Sequence, residues 1–190
     1  MKLIVCLLPV VAVVANAQSF DRDLVVNRLS ADLANLKIIP ADSSFSLVRG
    51  CLPPRHPTAP RPEECGPLDR VREDLDLIHA SQRQHFPSLG LAYNLLNSLA
   101  GRELDPVPLS VFTNSLVDAL VVADHAIEVR TRASGSREFR DSVMRAYTAL
   151  MALGLEKRDA ELILGNLVRN AEQWSRPPDF IPIPPAQAYR

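Results

Sequence analysis

Four histidines are the natural place to look for acid–base or metal chemistry in this chain. His79 follows Asp76 by three residues and His125 precedes Glu128 by three, so each pair shares a helix face, as carboxylate–histidine metal sites in helical bundles require. A di-metal bundle needs two Glu-x-x-His motifs and two further carboxylates. Here one pair carries Asp and the other runs in reverse order, on polar faces where solvated i,i+3 partners are the ordinary outcome. His56 sits among prolines and His85 precedes Phe86-Pro87, and neither has a partner that spacing specifies.

Nucleophilic chemistry fares no better. Ser134-Gly135-Ser136 lacks the first glycine of Gly-x-Ser-x-Gly and the strand that must precede it, so it reads as a turn between helices. Glu63-Glu64 lie on a loop and Asp74 and Asp76 on one helix, with nothing to bring them across a substrate. The expectation is a non-catalytic protein with no metal and no cofactor.

The remaining chemistry-bearing residues are cysteines, and their number depends on processing. The opening MKLIVCLLPVVAVVANA has one cation, Lys2, an apolar run from Leu3 to Val14, and Ala15-Asn16-Ala17 in small-x-small form. That is the pattern of a cleavable secretory signal over residues 1–17. Its removal takes Cys6 and leaves Cys51 and Cys65, 14 residues apart. In an oxidising compartment such a pair is expected to form a disulfide, worth roughly 3 kcal/mol by loop entropy. No later segment looks long and apolar enough for a membrane span, so a secreted chain without a transmembrane anchor is expected.

With 21 basic and 22 acidic residues interspersed, no electrostatic footprint for nucleic acid appears. The length suits one domain with a proper core.

Helical periodicity dominates what remains, and no alternating run reads as a strand. Ser19 is placed to cap a first helix, with Asp21 and Asp23 in its first turn and Leu29, Leu33 and Leu36 at helical spacing before Pro40. Residues 40–67 hold Pro40, Pro53, Pro54, Pro57, Pro60, Pro62 and Pro67 with both retained cysteines, which predicts a long disulfide-tied loop. A surface helix over about 68–85 carries Leu68, Val71, Leu75 and Ile78 on one face and Arg72, Asp76, His79 and Arg83 on the other. After Pro87, Ser88 is placed to cap a helix through Leu89, Ala92, Leu95, Leu96 and Leu99 to Gly101; a single helix kinked at Pro87 is the alternative.

Asp105-Pro106-Val107-Pro108 reads as a linker into the most apolar helix, about 110–132, striped by Phe112, Leu116, Ala119, Leu120, Ala123 and Ile127. Val121 and Val122 fall off that stripe, near Asn114, Asp118, His125 and Glu128. The helix is therefore central to the bundle or exposes an apolar patch. Two further helices follow, about 137–152 (Phe139, Val143, Ala146, Tyr147, Leu150, Leu153) and 156–175 (Ala160, Ile163, Leu164, Leu167, Ala171, Trp174). Trp174 is either a core residue or an exposed anchor. The tail 176–190 leans to polyproline II, and Phe180, Ile181 and Ile183 suit either a strap on the bundle or a ligand for a partner.

The fold expected is therefore all-α, a single domain over 18–175 built as a bundle of five or six helices with a proline-rich loop and tail. The first helix with Asp23-Leu24, Leu29, Leu33 and Leu36, then Pro108-Leu109-Ser110 opening a long Ala/Val/Leu helix, a turn, Phe139 and two more apolar helices resemble fungal hydrophobic surface-binding protein A and the related cell-wall galactomannoproteins. The likeness covers residues 19–39 and 105–175. It implies a secreted helical protein that adsorbs to apolar surfaces or sits in a cell wall, and it supplies no catalytic residues. The expected partners are an apolar surface, lipid-like ligand or wall component, met by Val121, Val122, Trp174, Phe180, Ile181 and Ile183. A secreted effector or inhibitor using the 51–65 loop to bind an extracellular protein is the alternative.

Overall fold

A computed structural model describes residues 21–47, 65–78, 88–129 and 131–174. Within these the protein is all-α, with six α-helices, two short 3-10 turns and no strand: α1 Arg22–Ala34, α2 Pro67–Ile78, α3 Ser88–Leu99, α4 Pro106–Glu128, α5 Arg137–Ala152 and α6 Lys157–Trp174. The expected signal segment, Cys51 with most of its loop, His56, His79, His85 and the tail with Phe180, Ile181 and Ile183 lie outside the described residues.

α4 is the axis of the bundle. It packs against α1, α2, α5 and α6, most extensively against α5, while α2 lies between α1 and α3, and α6 covers α3 and α5. The predicted stripe explains this position: Phe112, Leu116, Ala119, Leu120 and Ala123 are all buried. The buried face is wider than the stripe, because Thr113, Ser115 and Val117 are enclosed too. Thr113 is accommodated there because its hydroxyl donates to the Leu109 carbonyl at 3.1 Å, and its oxygen lies 2.7 Å from that of Ser30 on α1. The central position of α4, left open by its sequence, is thus settled by contacts on four sides.

Three boundaries differ from expectation, each for a local reason. α1 is capped by Asp21, whose carboxylate accepts from the Leu24 N–H at 3.0 Å, so Asp21 is the cap and not a first-turn residue. Ser88 is the first residue of α3, is buried, and donates its hydroxyl to Asp76 on α2. α4 begins at Pro106, four residues earlier than expected, and absorbs the supposed linker. Prolines 106 and 108 occupy the first turn, where no intrahelical N–H is needed, and Asp105 accepts from the Val107 N–H at 2.9 Å.

The reading that no later segment has the length and apolarity of a membrane span is corrected by this helix. Pro106–Ala126 is long and apolar enough to cross a membrane by length and composition, although half of its most apolar stretch is buried inside the bundle.

Gly101 ends α3 as predicted, with φ at 72° and its N–H donating to the Leu36 carbonyl at 3.0 Å. A Cβ there would lie 3.1 Å from the Ala41 nitrogen and 3.3 Å from the Ile39 oxygen. Gly154, with φ at 80°, ends α5 facing open space. Gly101→Ala is therefore expected to cost about 2–3 kcal/mol and Gly154→Ala only about 1 kcal/mol, because the first adds a clash to the left-handed penalty. Urea midpoints of the two variants check the order, and equal losses would contradict the close approach.

Candidate functional site

α4 and α5 run antiparallel, joined through the 3-10 turn Ala133–Gly135. Ser136 caps α5 by accepting from the Phe139 N–H at 3.4 Å. This is the structure formed by Ser134-Gly135-Ser136, a turn and helix cap and not a nucleophile elbow. The pairing leaves a groove along the outer seam of the two helices. On α4 the seam follows Val107, Val111, Asp118 and Val121–Val122, and on α5 it follows Glu138, Asp141, Arg145, Thr148 and Ala152. Both sets recur at helical spacing, so each helix contributes one continuous face.

The seam holds two cavities that meet at Arg145. The larger, about 620 Å3, is apolar in character and is lined by Val107, Pro108, Val111, Met144, Ala149 and Ala152, with Thr148 and Arg145 at its side and Asp105 at its rim. The smaller, about 430 Å3, is bounded by Arg22, Asp118, Val121, Val122, Glu138, Asp141, Ser142 and Arg145. The large cavity falls within the roughly 300–1,000 Å3 typical of small-molecule sites. Its walls include Val107 and Met144, which are 70% and 61% exposed, an unusual exposure for side chains of their size clustered on one groove.

Charge is concentrated in the smaller cavity. Arg22 holds Asp118 through two donors on one oxygen, Nε at 2.9 Å and Nη2 at 2.6 Å. Arg145 approaches the other oxygen at 3.6 Å, an ion pair without hydrogen-bond length, and donates to the Ser142 hydroxyl at 2.9 Å. Glu138 has its carboxyl held below the usual value by the Ser136 hydroxyl hydrogen bond, with its own backbone N–H and the Arg137 charge adding to the effect. Asp141 pairs with Arg137 at 3.4 Å.

No family model, curated protein or solved structure matches this chain. What it binds must be argued from the groove itself.

Val121 and Val122, predicted as part of an apolar binding face, are half-buried. They pack against the core and wall the charged cavity. The exposed apolar surface lies at the other end of the same α4 face, at Val107 and Val111. Trp174 closes α6, and nothing is described of its side chain. The missed residues were Val107, Val111, Met144 and Arg145. Val107 and Val111 carry a signal, an i,i+4 valine pair off the main stripe that begins in a stretch reading as a linker, while no local pattern marks Met144 or Arg145.

The carboxylates considered for chemistry go elsewhere. Asp74 is fully buried, with its Oδ1 3.1 Å from Arg28 Nε, and the nearby Glu73 lies 3.4 Å from Arg28 Nη2. Asp76 takes the Ser88 hydroxyl and pairs with Arg72 at 3.7 Å. His125 is exposed near the end of α4. Among the described residues no three His, Cys, Asp or Glu side chains converge as metal ligands would. Cys65 is buried just ahead of α2, and its carbonyl accepts from Arg70 Nε at 3.1 Å.

Proposed function

We propose that this is a secreted, non-catalytic helical protein that binds an apolar surface or lipid-like ligand through the α4–α5 groove. The single observation that carries this is the 620 Å3 apolar cavity walled by exposed Val107, Val111 and Met144. Exposed apolar side chains are common singly, but a cluster lining a groove of ligand size marks a binding surface. Secretion, supported by the form of residues 1–17, and a Cys51–Cys65 disulfide belong to the same reading. The resemblance to fungal surface-binding and cell-wall proteins agrees in kind, since those bind apolar surfaces without chemistry.

The test is direct. Purified protein is expected to adsorb to hydrophobic beads or to carry lipid in native mass spectrometry. Val111→Asp is expected to weaken that capture at least tenfold with little change in thermal stability, because a bound apolar ligand would strip water from the new carboxylate, whereas in the free protein position 111 is 45% exposed. Failure of the wild-type protein to capture either removes the proposal.

A further inference from the structure

The groove has a polar end as well as an apolar one, and the two meet at a single cation. We infer that its ligand is a single-chain amphiphile with a carboxylate head, an alkanoate, whose chain lies along Val107, Val111, Met144 and Ala152 and whose head is bound by Arg145. This rests on the proposed apolar binding and specifies the ligand class for the same groove.

Charge complementarity singles out Arg145. Asp118 already accepts two short hydrogen bonds from Arg22, so its charge is largely matched before Arg145 is considered. Arg145 touches Asp118 only at 3.6 Å and uses one hydrogen bond, to Ser142. A guanidinium has five N–H donors in a planar fork, a geometry that suits a carboxylate's two oxygens. Of the acidic groups around it, Asp118 is held by Arg22 and Asp141 pairs with Arg137, while Glu138 keeps its negative charge on the Ser136 hydrogen bond and is the one carboxylate that competes with a bound head. At the far rim Asp105 is turned to the Val107 N–H. The cation with spare donors thus stands where the apolar groove meets the charged one.

The dimensions favour one chain. Arg145 and Ala152 are seven residues apart on α5, about 10 Å along the helix axis. A head on Arg145 therefore leaves an apolar channel of about that length running towards Val107 and Asp105. The half exposure of Arg145 keeps the head at the water boundary while the chain lies along the apolar side chains, as amphipathic side chains arrange themselves at such edges.

Three probes of equal chain length separate the outcomes: decanoate, decanol and decyltrimethylammonium, titrated calorimetrically into the full-length protein below their aggregation concentrations. Decanoate is expected to bind about tenfold more tightly than decanol, and the cation most weakly. Arg145→Gln is expected to abolish the decanoate preference while leaving decanol affinity unchanged. Arg145→Lys keeps the charge without the fork and is expected to retain only part of the preference. Equal affinities for all three probes, or a decanoate preference that survives Arg145→Gln, would overturn the inference while the apolar site stands. Tighter binding of the cation would overturn it in favour of the acidic groups. If none of the probes binds and Val111→Asp changes no capture, the proposed function itself falls.

Discussion

Arg28→Ala is expected to destabilise the protein by about 3–5 kcal/mol, which would leave little of the stability of an ordinary domain. Arg28 projects from α1 into the contact with α2, with its side chain 17% exposed. There its Nε lies 3.1 Å from the fully buried Asp74 and its Nη2 lies 3.4 Å from Glu73, which is nearly as buried. Taking the cation away removes a charged partner from carboxylates that water reaches poorly, and that penalty, not the attraction of the pair, sets the size of the effect. It follows that removing charge from both sides costs less than removing it from one. Arg28→Met with Asp74→Leu is expected to be more stable than Arg28→Ala alone. Urea denaturation followed by circular dichroism gives both values, and a loss under 1 kcal/mol for Arg28→Ala would show that Glu73 and Asp74 are held by other groups.

This cluster also shows where the sequence stopped being informative. The apolar stripes of α1, α2, α4, α5 and α6 could be read directly, because burial of Leu29, Leu75, Leu116, Leu150 and Leu167 requires only the helical period. Asp74 and Glu73 look like members of a solvated face by the same period. Their burial depends on α1 crossing α2 with Arg28 at the contact, a tertiary fact that no local pattern encodes. The groove was half legible for a related reason. Val121 and Val122 lie on the same face of α4 as the groove, yet whether an off-stripe residue is covered or open depends on which α5 side chains stand beside it. Opposite Val121 and Val122 α5 carries the polar Glu138, Asp141 and Ser142, and the valines are half-buried against the core; opposite Val107 and Val111 the α5 face carries Met144, Thr148 and Ala152, and the apolar side chains stay exposed. Proline chemistry compounded the error, since Pro106 and Pro108 break a helix interior but start one equally well.

Phe112 and Val111 are adjacent in sequence and point to opposite consequences. Phe112 is fully buried in the middle of the contacts that α4 makes with the rest of the bundle, so Phe112→Ala removes an aromatic side chain that no rearrangement of neighbouring leucines replaces. A loss of about 3–5 kcal/mol is expected, and Phe112→Leu, which leaves a smaller void, is expected to cost less than half of that. Neither variant alters the groove wall, because Phe112 lies on the core side of α4 and Val107 and Val111 on the seam. Alkanoate affinity measured at a temperature where the variants remain folded is therefore expected to match the wild type, while the urea midpoint falls. Val111→Asp is expected to show the converse, a native midpoint with capture lost. If Phe112→Leu weakened ligand binding as much as Val111→Asp does, the ligand would have to lie inside the bundle, between α4 and its core partners, and the seam would be only a surface crease. The two faces of one helix thus separate folding from binding, and a stability measurement paired with a titration on each variant decides which face the ligand occupies.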